Sequence, residues 1–155
     1  MQPLPHVYRV AASGADDGNL EVTSEGVPTL AAAAPKEYDG PGDQWSPESL
    51  LVAAVASCFI LTFRAVARAS KLPWQSLECS VEGTLDRVDR VTQFTKFVTR
   101  AKLRIDAGAN EELCRRALEK AEQGCLIANS LKAQRELEIE IVRHEEPAVA
   151  DLMSA

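Results

Sequence analysis

Four cysteines, Cys58, Cys79, Cys114 and Cys125, carry the reactive chemistry open to this chain, and they stand far apart with no C-x-x-C pair among them. Only His6 and His144 could add imidazole ligands, so the spacing argues against a zinc site and no metal is expected. In a reducing cytosol structural disulfides are disfavoured, and a cysteine that matters there matters through its reactivity. Cys79 falls on the inward side of an alternating segment and Cys114 beside the apolar stripe of a helix, positions where cysteine acts as a small hydrophobe. Periodicity by itself reads Cys58 in the same way, as a buried helix residue. Cys125 directly follows Gly124, at a junction expected to be mobile or exposed, where a thiol can move to meet another. A bond between Cys58 and Cys125 requires Cα atoms within roughly 4.4 to 6.8 Å, which spacing along the chain leaves open.

Cys58 belongs to the longest uncharged stretch, Ser49 to Phe63, which is shorter than the roughly 20 residues that cross a bilayer and reads as a buried helix. Ser46-Pro47-Glu48 opens that helix, with Ser to cap the first amides, Pro preorganised in the first turn and Glu suited to the dipole. It is expected to run to about Ser70, with Arg64, Arg68 and Lys71 marking an exposed end. From Leu50 to Phe63 it is apolar on every face, so its first half is expected at the centre of the core. The small residues Ala53, Ala54, Ala56 and Ser57 would let a partner helix pack closely.

Upstream, Val7–Val10, Leu20–Thr23 and Val27–Leu30 predict a small three-stranded antiparallel meander, followed by a shaped loop from Pro35 to Asp43. Downstream, alternation over Leu77–Leu85 and Phe97–Ile105 predicts a long hairpin with acids on one outer face and bases on the other. A second helix is expected from about Glu111 to Gln123, capped by Asn110, ended by Gly124, and striped by Leu113, Ala117, Leu118 and Ala121. Leu137–Ile141 should join the sheet. The order points to an α+β fold with helices against antiparallel sheet, in one domain over residues 1–145 with a tail at 146–155.

The formal charge of -6, with Lys and Arg scattered rather than clustered, argues against nucleic-acid binding. Met1–Pro5 lacks the basic and apolar regions of a secretory signal, so the expected location is cytoplasmic, with no membrane partner.

Three segments carry a resemblance. SPESLLVAAVASCF at 46–59 resembles the OsmC/Ohr motif in which a Pro-Glu helix start leads through an Ala-rich run to the reactive cysteine. PKEYDGPG at 35–42 is similar to the loop of the organic hydroperoxide resistance branch, and AEQGCLIANS at 121–130 resembles the segment with the second cysteine. The likeness covers about residues 7–142. It implies an OsmC-like fold, an intertwined homodimer with both active sites at the subunit interface, and reduction of organic hydroperoxides by thiols. It also implies no metal or bound organic cofactor, and a dithiol reductant such as dihydrolipoyl groups. Carried over by motif, Cys58 is the peroxidatic thiol, Cys125 the resolving thiol, and Glu48 the carboxylate that orients a catalytic arginine. Glu48 and Cys58 stand ten residues apart on one helix, roughly 15 Å along its axis.

That arginine is missing. Asp16 occupies its expected position in the turn Gly14–Gly18, and no arginine lies between Val10 and Arg64. Leu126 replaces a proline that commonly follows the second cysteine, and Ala128 and Asn129 are further mismatches. A thiol deep in a helix is far from the N-terminal dipole and loses solvation, so a nearby cation is expected, with Arg9 and Lys36 as candidate substitutes. Two functional expectations follow. One is a peroxidase with an altered cation, favouring bulky organic hydroperoxides because Val55, Phe59 and Leu61 surround Cys58. The other is an OsmC-like redox-sensing or small-molecule-binding protein with weak turnover or none.

Overall fold

The computed structural model describes residues 1–144 and divides the chain into two compact units, the first Met1–Leu51 and the second beginning at Val52. The expected tail lies outside the described residues.

In the first unit, strands β1 (Ala11–Ser13), β2 (Leu20–Thr23) and β3 (Leu30–Ala32) form an antiparallel sheet in that order. β1 falls after the Val7–Val10 run and β3 starts where the Val27–Leu30 run ends. The turns account for both shifts. Gly18 at φ 83° and Gly26 at φ 79° close the two hairpins, and the registers they impose pair Ala12 with Val22 and Val22 with Leu30. Pro28, which has no N–H for a ladder, is thereby left in the turn. The loop from Pro35 holds one turn of 3-10 helix, Lys36–Tyr38. A Cβ at Gly40 would meet the Ala34 carbonyl oxygen at 1.6 Å, so only glycine lets the chain double back there.

Helix α1 runs Pro47–Ala69, and the Ser46 hydroxyl accepts the Ser49 N–H at 3.1 Å, as the cap signal requires. The finished helix is longer than the uncharged stretch alone, and by length and composition it could cross a membrane. Its first half is not central to the core of this chain. Leu50 to Ala54 are half-buried, and the fully buried positions Val55, Phe59, Phe63 and Ala67 form one stripe with a spacing of four. Leu61, on another face, is 59% exposed.

In the second unit, β4 (Ser76–Val88) and β5 (Val91–Ile105) form the hairpin, longer than expected because Asp89 and Arg90 take positive φ and turn it tightly. A Cβ at Gly83 would lie 2.9 Å from Val52 Cγ2 and 3.0 Å from the rings of Phe94 and Phe97, so glycine lets α1 approach the middle of β4. Opposite charges pair across the outer face: Arg100 reaches Glu138 at 2.9 Å and Glu82 at 3.5 Å. β6 (Gln134–Arg143) pairs with β5 in parallel, Thr99 beside Leu137, so the sheet is mixed rather than wholly antiparallel. The cause is the connection, which crosses over through helices and brings the chain back in the same direction.

That crossover contains α2 (Glu111–Gly124) and a short α3 (Leu126–Asn129) that sequence periodicity does not reveal. The Asn110 side chain caps α2 by accepting the Leu113 N–H at 3.1 Å. Cys114, Ala117, Leu118 and Ala121 form its buried stripe, at the i, i+3, i+4, i+7 spacing. Leu113, expected in that stripe, is 51% exposed and Cys114 takes its place. With Phe59, Phe63, Ala67, Ala101, Leu103 and Ile105, this stripe makes the core.

Candidate active site

α1 places Cys58 one residue before the buried Phe59, so its sulfur is half-buried at the edge of the core rather than within it. Cys125 links α2 to α3 and is 2% exposed. The expectation of an exposed thiol at this junction is therefore overturned. The junction itself stays at the surface, with Leu126 74% exposed at the start of α3, and only the Cys125 side chain points inward. The Cys125 sulfur stands 4.0 Å from the carbonyl oxygen of Val55, which lies one turn before Cys58 on α1, and the two thiols are close enough for each to shift the other's pKa.

The surroundings treat the two thiols in opposite ways. At Cys58 burial pushes the pKa up, but N–H donation from Ile127, the Cys125 thiol, the Thr62 hydroxyl and the Leu126 N–H together outweigh it, leaving the pKa below the usual cysteine value. At Cys125 burial pushes the pKa up. The Ala128 and Ile127 amides oppose this, but the hydrogen bond and charge of Cys58 reinforce it, and the net shift is upward. Cys79, on the inward side of β4, is pushed up to about 11 by burial and then by the charge of Cys125. Cys114 is raised by burial, which the charge of Arg143, itself offset by Glu111, does not undo.

Within this unit, the groups that lower the Cys58 pKa are neutral donors. One signal for this was present in the sequence: a proline after Cys125 would have no N–H, and Leu126 has one.

The remaining candidates lie in the first unit. Glu48 is in the first turn of α1, and its Oε2 is buried with no hydrogen-bond partner among the described residues. Asp16 is exposed in the bend between β1 and β2. Arg9 is exposed ahead of β1, its carbonyl oxygen accepting the Ser24 hydroxyl at 3.0 Å. Lys36 starts the 3-10 turn, and its aliphatic stem lies against Gly42. Among the described residues no group of three or more His, Cys, Asp or Glu side chains is arranged to hold a metal ion.

The shifts order the thiols by reactivity. With limiting iodoacetamide at about pH 7, Cys58 is alkylated ahead of Cys125 and Cys79, since only the thiolate reacts and both of the others are shifted upward, Cys79 to about 11. Peptide mass mapping over a pH series reads this order, and modification of Cys79 ahead of Cys58 contradicts it.

Residues 40–140 match the family model described as OsmC-like protein. A curated relative, the uncharacterized protein YmaD of Bacillus subtilis (strain 168), is 27% identical over 138 residues, covering 87% of this chain and 92% of its own. Among solved structures, an OsmC-like protein of unknown function from Vibrio cholerae superposes with a TM-score of 0.78 at 19% identity, covering 89% of this chain and all of that one. The organic hydroperoxide resistance protein OsmC from Legionella pneumophila gives 0.70 at 24% identity over 90% of this chain and 98% of that one. OhrB of Bacillus subtilis, an organic hydroperoxide resistance protein, gives 0.63 at 17% identity over 88% and 98%.

Proposed function

This chain belongs to the OsmC-like protein family, and from that premise we propose that it is a thiol peroxidase that reduces organic hydroperoxides through Cys58 and Cys125. The observation that carries the reading is the meeting of two thiols from distant parts of the chain, one with a lowered and one with a raised pKa. The Cys58 thiolate attacks a peroxide oxygen, the O–O bond breaks, and the departing alkoxide takes a proton and leaves as the alcohol. Cys58 is then a sulfenic acid. The Cys125 sulfur attacks it, water departs, and a disulfide remains. A dithiol such as a dihydrolipoyl group closes the cycle by reducing that disulfide and becoming a disulfide itself. No metal or organic cofactor enters any of these steps.

The names of the Legionella and Bacillus proteins support hydroperoxide as the substrate class. Exposed Leu61, Leu126 and Ile127, near Cys58 in sequence or through the junction, support an organic over an inorganic peroxide. The same reading makes the protein a cytoplasmic, intertwined homodimer. The apolar faces that α1 leaves outside its single buried stripe support that assembly.

One test is consumption of cumene hydroperoxide by the purified protein with dihydrolipoamide. Many equivalents consumed per chain, faster than hydrogen peroxide, is the expected result. Consumption that stops at one equivalent overturns the peroxidase. It would instead favour an OsmC-like redox sensor or binding protein, a reading that Asp16 in the arginine's place and the unpartnered oxygen of Glu48 support.

A further inference from the structure

Thr62 lies one turn beyond Cys58 on α1, and its hydroxyl has two acceptors near it. It donates to the Cys58 carbonyl oxygen at 2.7 Å, and its oxygen stands 3.9 Å from the Cys58 sulfur. Back-bonding to the carbonyl four residues earlier is ordinary for Ser and Thr in helices, and Ser57 does the same to Ala53 at 2.8 Å. Thr62 differs in what surrounds it. Its oxygen faces a thiol, and its methyl group faces the end of α2, where a Cβ at Gly124 would be 3.4 Å away. A β-branched side chain is stiff about χ1, which leaves rotation about the C–O bond as the freer motion.

A hydroxyl has one proton to give. A neutral thiol is a weak acceptor, and the carbonyl keeps the proton. A thiolate makes a charge-assisted bond roughly twice as strong as a neutral one, and competes for it.

We propose that Thr62 is a positioning residue for the Cys58 sulfur, its hydroxyl proton turning from the Cys58 carbonyl to the sulfur when that sulfur ionises. The inference rests on the reading of Cys58 as the reacting thiol. It adds the means by which a site without the family's arginine holds the charge.

The test is the pH profile of Cys58 alkylation by iodoacetamide in the full-length protein, followed by peptide mass mapping, with circular dichroism to establish folding. Thr62→Val keeps the shape and the methyl group but loses the donor. Its profile moves to higher pH, and its rate near pH 7 falls about three- to tenfold, the loss expected for one charge-assisted hydrogen bond. Thr62→Ser restores the wild-type profile. Ser57→Ala leaves it in place.

A folded Thr62→Val protein with the wild-type profile overturns the proposal, and so does a Thr62→Ser protein that behaves like valine, since the methyl group rather than the hydroxyl would then be at fault. If valine prevents folding, Thr62→Ala, which also loses the donor, decides: an unmoved profile in the folded alanine protein overturns the proposal. Alkylation needs no peroxide. A shifted profile in a protein without turnover removes the peroxidase and keeps the role of Thr62, whereas turnover with unshifted profiles does the reverse.

Discussion

Cys58→Ser lowers catalytic hydroperoxide reduction by at least about a thousandfold, because a serine hydroxyl is not ionised near neutral pH and cannot take the peroxide oxygen. Cys79→Ser, by contrast, stays within about threefold of the unaltered protein, since a thiol held near pKa 11 has almost no thiolate to contribute. The comparison is made under steady state with cumene hydroperoxide and dihydrolipoamide. Equal losses in the two variants would mean that the reacting sulfur has been misassigned.

Cys125→Ser separates the two halves of the cycle. The first step needs only Cys58, so one equivalent of hydroperoxide is still consumed and the sulfenic acid persists long enough for dimedone to trap it. Turnover with the dithiol falls by roughly a hundredfold unless the dithiol attacks the sulfenic acid directly. The raised pKa of Cys125 is no obstacle to its resolving role. Part of that rise comes from the charge on Cys58, and oxidation of Cys58 to the neutral sulfenic acid removes it, so Cys125 becomes easier to ionise when it must attack. Full turnover in Cys125→Ser, without a trapped adduct, would remove this residue from the cycle.

Much of the positioning frame was legible from local signals. The Ser46-Pro47 start of α1, the Asn110 cap of α2 and the alternation of β4 and β5 each act within a few residues, through a side-chain oxygen, a fixed φ or a period of two. The strand shifts in the first unit arose where turn geometry overrode apolar content, at Gly18 and Gly26. The parallel placement of β6 was not legible, because Leu137–Ile141 carries the same alternation whichever way its neighbour runs. The exchange of Leu113 for Cys114 shows a similar limit: both fit an amphipathic pattern, and the direction of the core relative to the cap selects one.

The candidate site was legible as two cysteines and a missing arginine, but not as chemistry. Residue types and their order established which sulfurs were available, that no arginine lies between Val10 and Arg64, and that a main-chain N–H follows Cys125 where a proline would have none. Folding decided the rest. It buried the Cys125 side chain at a junction that looked exposed, brought it to the turn of α1 that carries Cys58, sixty-seven positions away in the chain, and left the Thr62 hydroxyl 3.9 Å from the Cys58 sulfur. The physical reason is that the charge preference of a thiol depends on distance and solvation, which are properties of the space around it, whereas the order of residues specifies only its neighbours along the backbone.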